Sequence, residues 1–84
     1  MSAKPRKDEV IGTGFFVFRR GKRTGRIAVS PHRMPFEHAS EDAAMDECIR
    51  LAKANPGETF EVFKSLGTSR FDADGNPLPE GGAA

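Results

Sequence analysis

The chain has 84 residues, of which 37% are hydrophobic and 30% are charged, with 13 Lys and Arg against 12 Asp and Glu. A domain of about 60 residues buries only about 60% of the surface that its unfolded chain exposes, so a substrate pocket beside the core is not expected. The sequence also lacks the run of about 20 apolar residues that a membrane span requires. One cysteine cannot form an internal disulfide, and residues 1–11 contain no apolar stretch of signal-peptide length, so we expect a cytoplasmic protein.

The net charge of +1 hides a separation of charge along the chain. Residues 1–33 contain nine basic and two acidic side chains, whereas residues 34–84 contain four basic and ten acidic ones. Such a separation creates a local potential that attracts a polyanion to one side of a small protein. The alternative is that the two halves neutralise each other once the chain is folded.

Two strands and a turn are predicted in the basic half of the chain. Residues 13–20 (TGFFVFRR) are rich in Phe and Val, and residues 25–30 (GRIAVS) alternate, with Ile27 and Val29 on one face. The segment GKRT between them is a typical turn, so the two strands form a β-hairpin with a strongly basic tip.

A helix and a third strand are predicted in the acidic half. Ser40 is suited to cap a helix that stops at Asn55-Pro56-Gly57. Asp46 and Arg50 have the spacing of an i,i+4 ion pair on its polar side. Residues 58–66 alternate, which predicts a strand with Phe60, Val62 and Leu66 on one face. The apolar side of the helix is formed by Ala44, Met45, Cys48, Ile49, Leu51 and Ala52.

The order β-β-α-β predicts an α+β fold. A strand that follows a helical crossover runs parallel to the strand before it. Placing the third strand beside the first therefore makes every neighbouring pair antiparallel, in the order 2-1-3, with the helix on one face of the sheet. We expect one domain over residues 12–71, between a flexible basic arm at residues 1–11 and a flexible tail at residues 72–84.

The sequence offers weak candidates for metal binding or catalysis. His32, His38 and Cys48 are three scattered residues, whereas structural zinc needs four ligands, and a thiol on an apolar helix face is typical of a core residue. Residues 72–76 (DADGN) begin like a calcium loop, but Pro77 stands where that loop requires Gly. We therefore predict no metal, no cofactor and no enzymatic activity.

The basic hairpin is the strongest candidate for a binding surface. Five basic residues lie within residues 19–26, and Arg pairs with phosphate through two parallel hydrogen bonds. Because the helix covers one sheet face only, some Phe side chains should lie on the open face, where aromatics beside Arg stack bases. The alternative is that these aromatics meet a second copy in a homodimer or are shielded by the tails. The predicted surface for a nucleic acid or a nucleoprotein consists of Arg19, Arg20, Lys22, Arg23, Arg26 and Phe63.

A second candidate surface follows the polar side of the helix. This second surface consists of Asp46, Glu47 and Arg50. It could bind a larger host protein, and the small chain would then inhibit that protein by occluding one of its sites. The alternative interpretation is an ordinary solvated helix face. No membrane partner is expected.

The segment from the second strand to the third, SPHRMPFEHASEDAAMDECIRLAKANPGETFEVFKSLGTSR, resembles small, mostly uncharacterised phage and prophage proteins of ββαβ architecture. The similar features are the Ser40 cap, the run at residues 50–52 (RLA), the pair at residues 56–57 (PG), Phe60 and Val62, over about half the chain. The resemblance implies an architecture and a phage or bacterial origin. Small phage proteins of this size include anti-CRISPR inhibitors and other host-takeover factors, so the resemblance also implies protein-directed inhibition as an alternative function.

Overall fold

The computed structural model describes residues 4–29 and 33–79, which form a three-stranded sheet and one helix. The strand order is β2-β1-β3, and both neighbouring pairs are antiparallel. The predicted α+β fold and strand order are therefore confirmed. The elements are β1 (Phe15–Arg20), β2 (Ile27–Ala28), α1 (Glu41–Ala54) and β3 (Thr59–Lys64).

The strands are shorter than predicted because two glycines turn the backbone at their ends. Gly14 has a φ of +81° and Gly25 a φ of +69°, which is a left-handed conformation that interrupts extended chain. Pairing of β3 with β1 accordingly ends where the Ser65 N–H donates to the Gly14 carbonyl at 2.8 Å. Leu66, predicted to share a face with Phe60, lies beyond this point and is 98% exposed, so that prediction is wrong. Part of the predicted second strand, residue 30, lies outside the described residues.

The helix begins and ends where the sequence predicts. The Ser40 Oγ accepts a hydrogen bond from the Ala43 N–H at 3.1 Å, and the Asn55 N–H donates to the Leu51 carbonyl at 3.0 Å. Pro56 follows at once. A side chain that caps the free N–H groups of the first turn stabilises a helix at its start, and a proline prevents its continuation.

The buried stripe of the helix is narrower than predicted. Ala44 is fully buried and Cys48 is 9% exposed, whereas Met45 and Ile49 are 43% and 48% exposed. A helix turns by about 100° per residue, so Met45 and Ile49 lie on one flank of the stripe. Glu47, on the other flank, lines a groove towards β2, which leaves Met45 and Ile49 above the outer edge of β3. The sheet is too narrow on that side to cover them.

The beginning of the described chain packs against the connection that precedes the helix. The Val10 N–H donates to the Glu37 carbonyl at 3.0 Å, and the Arg6 Nη2 donates to the Met34 carbonyl at 2.7 Å. Residues 6–10, predicted as part of the arm, thus lie against the domain. The side chain of Glu9 is 6% exposed and joins both segments. No helix in the described residues is long and apolar enough to cross a membrane.

Candidate nucleic-acid interface

Alternation along β1 sends its side chains to two different faces of the sheet. Arg19 lines a cavity together with Leu51 of the helix and with Phe60, its partner in β3, so the side of the sheet that carries Arg19 and Val17 faces the helix. Phe16, Phe18 and Arg20 alternate with them and therefore point to the opposite face. The described part of the chain places no helix or strand on that opposite face.

Three phenylalanines form a contiguous cluster on this open side, and we name Phe16, Phe18 and Phe63 the aromatic face. Phe16 lies directly across from Phe63 in the pairing of β1 with β3. The ring centroids of Phe16 and Phe18 are 6.1 Å apart, and those of Phe18 and Phe63 are 5.6 Å apart in an edge-to-face arrangement. All three side chains are half-buried, because each ring shields its neighbours. The sheet thus presents an aromatic surface of three rings.

Arg20 connects the aromatic face to the hairpin turn. Its guanidinium carbon lies 5.8 Å from the centroid of the Phe63 ring, within the range of a cation–π contact. The same group donates from Nε and Nη2 to the two carboxylate oxygens of Glu61, at 2.7 and 3.3 Å, and from Nη1 to the Gly25 carbonyl at 2.8 Å. The hydrogen bonds between them raise the pKa of Arg20 and lower the pKa of Glu61. Both groups therefore remain charged, and the guanidinium is held beside the ring.

Arg19 and Lys22 both form ion pairs with the carboxylate of Glu58, just before β3. The Arg19 Nη1 lies 3.0 Å from Oε1 of Glu58, and the Lys22 Nζ lies 3.4 Å from Oε2 of the same residue. The hydrogen bond from Arg19, with a smaller contribution from Lys22, lowers the pKa of Glu58. The predicted cluster of five basic residues is therefore divided: Arg19 points to the helix side, and Arg20 points to the aromatic face.

Arg23 and Arg26 lie in the exposed turn between β1 and β2. Neither forms an ion pair with another described residue. We define the hairpin end as the five basic residues within residues 19–26 together with Glu58 and Glu61. Five positive and two negative side chains leave this group with a net charge of +3. Positive potential of this kind attracts phosphate groups.

Sequence reasoning singled out Phe63 but did not assign Phe16 and Phe18 to the same surface. The missing information was the register between β1 and β3, which places Phe16 opposite Phe63. The alternation of Phe16, Phe18 and Arg20 along β1 was a signal that these three side chains share a face.

The second predicted surface, on the polar side of the helix, forms one wall of an open groove of about 1010 Å³. The Arg50 Nε and Nη2 donate to the Glu47 carboxylate at 2.7 and 2.6 Å, so Arg50 pairs with Glu47 and the predicted pair with Asp46 is wrong. A fork of two parallel hydrogen bonds is stronger than a single contact, which favours this i,i+3 partner. The hydrogen bonds lower the pKa of Glu47 and raise the pKa of Arg50. Asp46 stays exposed at the groove.

The candidate metal ligands do not form a site in the described residues. Cys48 and His38 are both buried, and His32 lies outside the described residues. No three His, Cys, Asp or Glu side chains within residues 4–29 and 33–79 come together as a group able to hold a metal ion. Burial, with a smaller effect of the Glu61 charge, raises the pKa of the Cys48 thiol, which disfavours the thiolate that nucleophilic or metal chemistry requires.

Comparisons of the chain with protein-family models, with curated proteins and with solved structures find no match.

Proposed function

We propose that this protein is a non-enzymatic binding protein that engages a single-stranded nucleic acid with its aromatic face and its hairpin end. The observation that carries the proposal is the position of Arg20, which lies beside the Phe63 ring and at the start of the basic turn. A chain of nucleotides presents bases and phosphates together, and this surface offers rings and cations together. Binding to a nucleoprotein through its nucleic-acid component is included in the proposal.

The aromatic face supports base stacking. Each base has an apolar ring surface, and stacking on an aromatic side chain contributes about 1 to 3 kcal/mol per base. The rings of Phe18 and Phe63 are half-buried on the side of the sheet that the helix leaves open. Bases of a duplex are stacked on each other and cannot reach such a flat surface, so single strands are favoured.

The hairpin end supports contacts with phosphates. Arg23 and Arg26 are exposed and therefore accessible to phosphates. Arg20 is less accessible to them, because two hydrogen-bond donors of its guanidinium are already engaged by Glu61. The exposure and charge of the two turn arginines suit contacts with the nucleic-acid backbone, which carry no sequence information. We therefore expect affinity that falls steeply with salt.

The test is a titration of fluorescent single-stranded and double-stranded oligonucleotides, DNA and RNA, at two salt concentrations. Phe63→Leu keeps an apolar side chain on the sheet but removes the stacking ring, and we expect it to weaken single-strand binding about 10-fold. Phe71→Leu is the matched control, because Phe71 is 57% exposed and lies in the turn region after β3. No binding of any oligonucleotide at low salt overturns the proposal, and so does an equal effect of the two variants.

A protein partner is the second candidate function, and the groove beside the helix favours it. The groove combines the exposed apolar side chain of Met34 (74% exposed) with the charged side chains of Asp46 and Arg50. Such a mixture suits an extended segment of a larger protein, on which the chain would act as an inhibitor. Recovery of a stoichiometric protein from nuclease-treated host lysate, lost on Asp46→Lys and kept on Phe63→Leu, would favour this function over nucleic-acid binding.

A further inference from the structure

Strand β3 forms one edge of the sheet, and its outer side is unpaired in the described residues. β3 pairs with β1 alone, and the described chain after β3 hydrogen-bonds to itself, for example from the Leu78 N–H to the Arg70 carbonyl at 2.7 Å. An open edge presents N–H and C=O groups in a row, ready to pair with another strand. The described strand contains no proline, and Lys64 at its end and Glu61 in its middle are its only charged residues.

The pairing pattern identifies which backbone groups point outward. The Ser65 N–H donates to the Gly14 carbonyl, so the backbone of Ser65 faces β1. Hydrogen-bonding direction alternates along an antiparallel strand, so Glu61 and Phe63 also face β1. The N–H and C=O groups of Phe60, Val62 and Lys64 therefore point away from the sheet.

We propose that two copies of this chain form a symmetric dimer by antiparallel pairing of their β3 strands, with Val62 on the two-fold axis. In this register Val62 exchanges both backbone hydrogen bonds with Val62 of the second copy, and Phe60 pairs with Lys64 of the second copy. The register uses only outward-pointing groups. It also keeps the helices of both copies on the same side of a continuous six-stranded sheet. The proposal does not depend on nucleic-acid binding.

The charges of the strand are self-complementary in this register. Glu58 precedes β3 and Lys64 ends it, and alternation places both on the helix side of the sheet. Antiparallel pairing about Val62 makes Lys64 of one copy a diagonal neighbour of Glu58 of the other, so Lys64 would add a third basic contact to a carboxylate that Arg19 and Lys22 of its own copy already engage. The Glu61 side chains of the two copies are also diagonal neighbours. Each of them is already neutralised by its own Arg20.

The exposed flank of the helix gives the dimer an apolar contact. Helix α1 packs over β1 and β3 together. With strands about 4.8 Å apart, two-fold pairing would bring the two helices about 10 Å from each other, which is a normal distance for packed helices. Met45 and Ile49, which are 43% and 48% exposed, lie on the flank that would face the second helix. Burial in the dimer would explain why these two apolar side chains are exposed to water in the single chain.

The same pairing would join the two aromatic faces. Phe63 lies across from Glu61 of the second copy and is a diagonal neighbour of Phe63 of the second copy. The three rings of each copy would then form one surface of six rings on the open side of the sheet. In a two-fold symmetric dimer both copies contribute the same surface, which here is the outer edge of β3.

Sedimentation velocity of the full chain over a range of concentrations tests the association. We expect a dimer for the unchanged protein, and we expect Met45→Glu to weaken dimerisation at least 10-fold because it places two carboxylates in the contact between the helices. Met34→Glu is the matched control, since Met34 is an exposed methionine that lies towards the opposite side of the domain. Circular dichroism of both variants verifies that the fold is retained.

A disulfide tests the register. On a Cys48→Ala background, Val62→Cys would place two thiols at a pair whose Cα atoms are about 5.5 Å apart, a separation that a disulfide spans. Lys53→Cys on the same background is the control, because Lys53 is on the exposed part of the helix. Rapid crosslinking at residue 62 alone supports the proposal. A monomer at every concentration up to the millimolar range overturns it, and a dimer that crosslinks equally at both positions overturns the proposed pairing.

Discussion

Arg20 donates two hydrogen bonds to Glu61 while its guanidinium lies against the ring of Phe63. The carboxylate holds the cation at the border between the aromatic face and the hairpin end. In the proposed complex it would also compete with a phosphate group for Arg20. In the proposed function, the pair would therefore both position Arg20 for binding and limit the strength of that binding.

Replacing Glu61 with Gln releases the Arg20 guanidinium from its carboxylate. We expect the Glu61→Gln variant to bind single-stranded oligonucleotides severalfold more tightly than the unchanged protein at low salt, because one opposing charge is removed from the surface. Fluorescence anisotropy measures the change. Glu41→Gln at the exposed start of the helix makes the same chemical change away from the surface, and an equal gain there would show that only net charge matters.

Glu9 predicts a dependence of stability on pH. Hydrogen bonds from Arg6, and from the Glu37 N–H, lower the pKa of Glu9 to about 2 from its ordinary value of 4.5. Because the folded-state pKa is the lower one, the Glu9 carboxylate stabilises the fold above pH 4.5, and this contribution is lost as the pH falls towards 2. Urea unfolding should show Glu9→Gln less stable than the unchanged protein at pH 7. The difference should shrink with falling pH, and a difference that is constant with pH would contradict the prediction.

We predict that the Ser40 cap of the helix contributes measurably to the stability of the fold. Ser40→Ala removes the oxygen that accepts a hydrogen bond from the Ala43 N–H, and we expect a loss of about 1 kcal/mol in the free energy of unfolding. Ser69→Ala, in the exposed segment after β3, should change that free energy by less than about 0.5 kcal/mol. Chemical denaturation followed by circular dichroism gives both values. Equal effects of the two substitutions would be inconsistent with a capping role.

Gly14 is a position that tolerates no side chain. A Cβ built there would lie 2.8 Å from the Cβ of Ser65, and the φ of +81° is unfavourable for any other residue. We expect Gly14→Ala to reduce the free energy of unfolding by about 1 to 3 kcal/mol. Gly67→Ala is the control, because no atom lies within 4 Å of the Cβ it would add. Thermal unfolding of the two variants should separate them clearly.

Local patterns in the sequence were enough to predict the helix and the order of strands. Ser40 and Pro56 limit α1 through hydrogen bonding and ring geometry that depend on neighbouring residues alone. The strand order followed because a helical crossover constrains the direction of the strand after it. These features need no knowledge of distant contacts.

The candidate surface depended on contacts between residues far apart in the sequence. The five clustered basic residues are neighbours along the chain, yet three of them are engaged by Glu58 and Glu61, which lie beyond the helix. Which carboxylate meets which base is set by the register of β1 with β3, and no short turn joins these two strands to fix that register locally. The same register assembles Phe16, Phe18 and Phe63 into one face.

The near balance of 13 basic and 12 acidic residues is a property of the sequence alone, and so is the separation of the two kinds along the chain. Only the tertiary structure decided how that separation is used. Pairing of β1 with β3 partly neutralises the hairpin, leaves Arg23 and Arg26 without an ion pair among the described residues, and fixes Arg20 beside an aromatic ring. The physical reason is that charge interactions fall off with distance, so the positions of charges in space, and not their order in the chain, determine the potential at the surface.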